Sequence, residues 1–140
     1  MKKVRTPIDV RYQETDQMGV VYHANYLIWF EIGRTKFIEE LGLSYIEMEK
    51  QNVVSPVLDA NIKFNKPVRY GEAVYVDTWL EEYDGLRSAY GYEVIREDGE
   101  IAVSGITRHV IVNKETFRPL SLRKKFPEWH KVYSEVVRGD

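Results

Sequence analysis

A chain of 140 residues, 44% of them hydrophobic, is long enough to form one compact domain around a real core. Twenty basic residues against twenty-two acidic ones leave a formal net charge of -2, which excludes a global field that would gather nucleic acid or an anionic membrane surface. Cysteine is absent, so disulfide staples, thiolate nucleophiles and cysteine-ligated metals are excluded too.

The start, MKKVRTPIDV, lacks the apolar stretch of a secretory signal. Residues 7 to 13, PIDVRYQ, alternate Ile8, Val10 and Tyr12 with Asp9, Arg11 and Gln13, the period of a strand with one buried face. After a turn over Thr15 to Gly19, the residues Tyr22, Tyr26, Phe30, Gly33, Phe37 and Leu41 line one face of an α-helix that starts near Tyr22 or His23 and stops at Gly42. Leu27, Ile28, Trp29 and Ile32 fill the other faces of its first half, so that half has to be enclosed by a sheet or by a partner subunit. Glu31, Arg34 and Lys36 interrupt the apolar run well short of the ~18 uncharged residues of a membrane span.

From Val54 to Phe64 the even positions are apolar or small and read as a one-sided strand. The turn KPVRYGE leads to a strand with Val74, Val76, Thr78 and Leu80 on one face, closed by Asp84-Gly85. Residues 87 to 96 and 101 to 112 are two more strands joined through Asp98-Gly99, a hairpin signal. Tyr75, Trp79, Tyr90 and Tyr92 indicate a second sheet face that is not simply wet. Pro127 opens a short terminal helix, PEWHKVYSEVV. Strand, long helix, four strands in meander and a tail helix give an α+β domain over residues 1–140, a curved antiparallel sheet enclosing a central helix. A soluble, cytoplasmic protein is expected.

The signatures of serine hydrolases, P-loop and dinucleotide folds and zinc proteases are all missing. Three scattered histidines, 23, 109 and 130, do not form a metal-binding pattern, so no metal or cofactor is expected. The chemistry rests on a carboxylate in ETDQMGVVYHANYLIWFE. Asp16 sits in the turn, Gly19 lets the backbone reverse or approach a ligand closely, and the helix start presents free N–H groups and a positive dipole end. An acid beside N–H groups that can hold an oxyanion suits acyl transfer: Asp16 attacks the carbonyl or activates a water that does. The commoner roles stand beside this: Asp16 as turn former or N-cap, His23 as a capping or packing residue, Glu31 as a paired or interfacial charge, and Arg118, Arg123, Lys124 and Lys125 as a solvated face.

Asp16-x-x-Gly19-x-Val21-Tyr22-His23-x-Asn25-Tyr26, followed by a helix and by FNKPVRYGE, resembles the 4-hydroxybenzoyl-CoA thioesterase group of the hotdog superfamily, over roughly Thr6 to Val112. The resemblance implies that Asp16 is the catalytic carboxylate, that the backbone N–H of His23 receives the thioester carbonyl, and that Gly19, Tyr22 and Tyr26 belong to the substrate site. His23 matches a branch often associated with short-chain acyl-CoA hydrolysis, where the founding enzyme carries Tyr. It further implies an acyl-CoA thioesterase without cofactor, a dimer joined sheet edge to sheet edge, and often a homotetramer. The rivals are an acyl-thioester dehydratase or hydratase, whose differently spaced histidine motif is missing here, and a non-catalytic acyl-CoA sensor or scaffold.

Overall fold

The computed structural model describes residues 2–137. The first strand, β1 (Lys3–Asp9), buries Val4, Thr6 and Ile8 on alternate positions. It lies earlier than the expected 7–13. The Glu14 carboxylate accepts the Arg11 backbone N–H and bends the chain into a 3-10 turn over Tyr12–Glu14, which leaves Tyr12 76% exposed. The apolar alternation thus outlasts the strand.

A turn over Tyr22–Asn25 leads into α1 (Asn25–Glu40), and Gly42, at a φ of 79°, follows its end. The expected stripe is buried at Tyr26, Phe30, Gly33 and Phe37, with Trp29 and Ile38 added, whereas Tyr22 lies before the helix and is exposed. Gly33 brings α1 onto the Val76 and Thr78 side chains, a distance that any Cβ would prevent. Phe30 stacks on Tyr92, their ring centres 4.3 Å apart, and lies over Gly105. After α2 (Tyr45–Lys50), capped by Ser44, come β2 (Val53–Val54), β3 (Val57–Phe64), β4 (Ala73–Tyr83), β5 (Arg87–Arg96), β6 (Ile101–Val110), β7 (Val112–Asn113), α3 (Leu122–Lys125) and α4 (Pro127–Val137).

The main antiparallel sheet has the order β1-β4-β5-β6-β3, and β2 pairs with β7. Strands β4, β5 and β6 form the expected meander, but β3 does not precede β4 in it. The chain crosses from β3 at one edge, beside β6, to β4 near the other. The one-sided strand read over 54 to 64 is also divided. Val53–Val54 joins β7, the Ser55 N–H donates to the Tyr45 hydroxyl, and a bulge between Val57 and Asp59 opens β3. Past the bulge, Ala60, Ile62 and Phe64 stand opposite Thr107, Gly105 and Val103 on the inner face, yet no residue of β3 is buried. Helix α1 packs mainly over β1, β4 and β5 and meets β3 at its end, where Tyr26 lies 5.8 Å from Phe64 between ring centres.

Tyr90 and Tyr92 pair with Leu80 and Thr78 and pack inward, so the outer face keeps only Tyr75 and Trp79 of the four aromatics. Arg5 covers Tyr75 and Lys3 covers Trp79 as cation–π contacts. Helix α4 begins at Pro127 as expected and buries Trp129, Tyr133 and Val136; Arg123, Lys124 and Lys125 form a solvated face. No helix of the described residues is long and apolar enough to cross a membrane.

Candidate functional site

The loop between the 3-10 turn and α1 is a closed turn. An isolated bridge links Thr15 to Val21, the Asp16 N–H donates to Val20 C=O at 2.9 Å, and the Gly19 N–H returns to Asp16 C=O at 3.0 Å. Gly19 adopts a φ of 79°, the left-handed conformation that glycine reaches without strain. Asp16 Oδ1 accepts the Met18 N–H at 2.8 Å, a local Asx turn. The turn-forming role of Asp16 is therefore real, and it occupies one oxygen. Among the described residues the other oxygen has no hydrogen-bond or ion-pair partner.

Val21 N–H donates to Val68 C=O at 2.7 Å and docks this loop on the FNKPVR segment. The two stretches enclose a groove of about 320 Å³, with Asp16, His23 and Tyr26 on one wall and Phe64, Asn65 and Lys66 on the other. Gly19 and Tyr22 lie outside this lining: Gly19 makes the turn, and the Tyr22 ring rests 4.4 Å from that of His23. Asn65 and Lys66 both donate their N–H groups to Ala102 C=O, and the Lys66 ammonium pairs with Glu100 at 2.9 Å.

At the helix start, Tyr22 N–H is used by Glu14 C=O and Asn25 N–H by Tyr22 C=O. The N–H groups of His23 and Ala24 have no acceptor among the described residues, as the head of a helical turn requires. Tyr26 is 3% exposed and packs edge-on against Trp29. Burial, with a smaller contribution from the Glu72 charge, pushes its phenol up to about 12, so near neutral pH it is a hydrogen-bond donor and not a proton shuttle.

Sequence reasoning missed Glu14. Its carboxylate is almost fully enclosed and accepts the Arg11 N–H at 2.7 Å, the Trp29 indole N–H at 2.8 Å and the Arg11 guanidinium at 3.4 Å. Its carbonyl accepts Tyr22 N–H at 2.9 Å and the Asn25 side-chain amide at 2.8 Å. Burial pushes the carboxyl up, but the bonds from Arg11 and Trp29 outweigh it and hold the acid below its ordinary value. Glu14 thus clamps both ends of the loop that carries Asp16 and His23. The available signal was Trp29: an indole in an apolar helix needs an acceptor for its N–H once buried.

Glu31 makes no ion pair among the described residues, and His109 and His130 bond to groups outside the groove. No cluster of three His, Cys, Asp or Glu side chains among the described residues could hold a metal ion. Asp16, with one carboxylate oxygen free of partners among the described residues, and His23, whose N–H is unused there, both line the groove.

An α+β fold of the hotdog type with an acid at the mouth of its helix defines the class. The chain belongs to the thioesterase-like superfamily, whose sequence profile matches residues 10–133. It is 51% identical over 131 residues to "Putative acyl-CoA thioesterase YneP" of Bacillus subtilis, covering 94% of this chain and 95% of that protein. It is similar to a DHNA-CoA thioesterase from Staphylococcus aureus, with a TM-score of 0.95, 48% identity, and 97% and 91% of the two chains covered. The Staphylococcus aureus protein SAV2348, solved in complex with CoA, shares the fold at a TM-score of 0.83 and 21% identity, over 96% and 85% of the two chains.

Proposed function

We propose that this protein hydrolyses acyl-CoA thioesters to a carboxylic acid and free CoA, with Asp16 as nucleophile or general base. The observation that carries the reading is the single groove lined by both Asp16, one of whose oxygens has no partner among the described residues, and His23, whose N–H is unused there. The His23 N–H receives the thioester carbonyl and stabilises the oxyanion as attack proceeds. The imidazole, exposed beside Tyr22 and Phe64, orients the thioester or protonates the departing thiolate. Tyr26 donates to substrate from the groove wall, while Gly19 and Tyr22 shape the loop. The names of the two relatives nearly half or more identical to this chain support the reaction class.

The working unit in this reading is a homodimer or homotetramer of one-domain subunits, each sheet curving around its central helix. Two features support it: β3 pairs only with β6 and leaves its other edge open, and Leu27, Ile28 and Ile32 on α1 are each more than 40% exposed. Sedimentation at micromolar concentration is expected to give a dimer or larger.

Asp16→Asn tests the chemistry. The amide oxygen still accepts the Met18 N–H, so fold and acyl-CoA binding are expected to persist while kcat falls by about 10² or more, with KM changed much less. CoA release, followed with a thiol reagent over acyl-CoAs of varied chain length and ring content, reads the outcome. Near wild-type turnover with a lowered melting point would leave Asp16 as a turn former only. His23→Ala keeps the N–H and is expected to retain substantial turnover.

A further inference from the structure

A second space lies towards the far end of α1. Between α1, α2, α4 and the inner face of β5 the protein encloses a cavity of about 130 Å³. Arg34 enters it about 15 Å along the helix from Ala24, at 1.5 Å per residue, and no residue lines both this cavity and the Asp16 groove.

A chain of hydrogen bonds fixes the Arg34 end. Arg34 Nη1 donates to the Tyr92 hydroxyl at 2.9 Å, that hydroxyl lies 2.7 Å from Thr107 Oγ1, Thr107 Oγ1 lies 2.8 Å from His109 Nε2, and His109 Nδ1–H donates to Ser55 C=O at 3.2 Å. With His109 neutral and its Nδ1–H on Ser55, Nε2 accepts from Thr107, Thr107 accepts from Tyr92, and every donor runs away from the guanidinium. Burial, and then the Arg34 charge, lower its imidazole to about 4, in keeping with that direction. Tyr92, Thr107 and His109 are almost wholly buried. Arg34 therefore meets the network as a donor only, and Tyr92 is its single hydrogen-bond acceptor among the described residues.

The positive charge is left without a counterion: no carboxylate among the described residues lies within ion-pair distance of Arg34. A half-buried guanidinium facing a cavity with most of its fork unused is a site for an oxyanion, because Arg matches a carboxylate with two parallel bonds. Part of the lining is apolar, at Ile38, Met48 and Leu122, beside the polar residues Thr35, Ser55 and Ser88. Glu31, one turn before Arg34 on the same lining, disfavours a second negative charge. The volume is close to that of cavities of about 150 Å³ that hold benzene.

We infer that this cavity binds a small monocarboxylate, its carboxylate on the Arg34 fork and its apolar body against Ile38, Met48 and Leu122. The site does not rest on the thioesterase reading, because binding is measured without turnover.

Calorimetric titration with benzoate and butyrate, each against its neutral amide, is the test, with ¹H–¹⁵N spectra to locate the ligand. Saturable binding of at least one acid is expected, about tenfold or more tighter than its amide, with shifts at residues 34–38 and 129–133. Arg34→Met is expected to weaken it about tenfold, and Asp16→Asn to leave it unchanged. The comparison of acid with amide on the unaltered protein needs no variant to fold. Absence of saturable binding, equal affinity for acid and amide, or shifts confined to residues 16–26 would overturn the inference.

Discussion

Replacing Glu14 by Gln exchanges one oxygen for an NH₂ group and removes a charge from a side chain that is 4% exposed. One carboxylate oxygen accepts the Arg11 N–H; the other accepts the Trp29 indole N–H and the Arg11 guanidinium. An amide has one acceptor oxygen, so either orientation sets its NH₂ against a donor that cannot turn away. A lost charge-assisted bond and an orphaned buried donor together cost roughly 2–4 kcal/mol, or about 6–12 °C in melting temperature for a chain of this size. Urea unfolding and thermal melting at pH 7 read this directly. A pH series adds a second arm. The folded acid is held below its unfolded value near ~4.3, so its stabilisation is complete above that pH and is lost as pH falls through the folded value. The gap between wild type and Glu14→Gln should therefore narrow below about pH 4. Because the Glu14 carbonyl that holds Tyr22 and Asn25 is untouched, kcat well below the melting point should fall by less than about tenfold. An unchanged urea midpoint, or a gap that widens in acid, would refute the clamp.

Gly33→Ala would put a Cβ 2.9 Å from Val76 Cγ1 and closer still to Thr78 Oγ1, and is expected to cost about 1–3 kcal/mol by thermal melting despite alanine's better helix propensity. An unaltered melting point would mean that α1 can lift from β4 at no cost. The Thr78 hydroxyl is buried without a partner among the described residues, so Thr78→Val should be neutral or stabilising by up to about 1 kcal/mol in urea unfolding. His109 stays neutral in the fold down to about pH 4, whereas the unfolded imidazole takes up its proton near ~6.5. Stability should decline as pH falls between those values, and His109→Gln should remove that part of the slope.

Features written in neighbouring residues could be read from the chain alone. The stripe from Tyr26 to Phe37 needed only helical spacing, the Asp98-Gly99 hairpin only its dipeptide, and the Asp16 turn only its acid and glycine. Features that depend on what lies across the fold could not. The place of β3 at the far edge depends on its pairing with β6, some forty residues on, and Glu14 acquires its role from Trp29, fifteen residues on. The second wall of the groove, Phe64 to Lys66, was quoted only as part of a motif, because its approach to Asp16 depends on the bond from Val21 to Val68. Arg34 read as an interruption of an apolar helix, and only Tyr92 and Thr107, more than fifty residues later, give it a setting.

Strand β3 holds one wall of the groove and is also the strand least tied down by its own chain. With β6 on one side only, about every second backbone amide of β3 faces outward unpaired, and none of its side chains is buried within the subunit. In a lone subunit, local opening has mainly the bonds to β6 to break, so β3 amides should exchange with solvent hydrogen before those of β4 and β5. Of the groove wall only Phe64 belongs to β3, whereas Asn65 and Lys66 are tied to β6 through Ala102 C=O. Pairing of that open edge with a second copy of the chain is expected to slow exchange in β3 and to steady the Phe64 wall of the groove, so hydrogen exchange above and below the assembly concentration reads both at once.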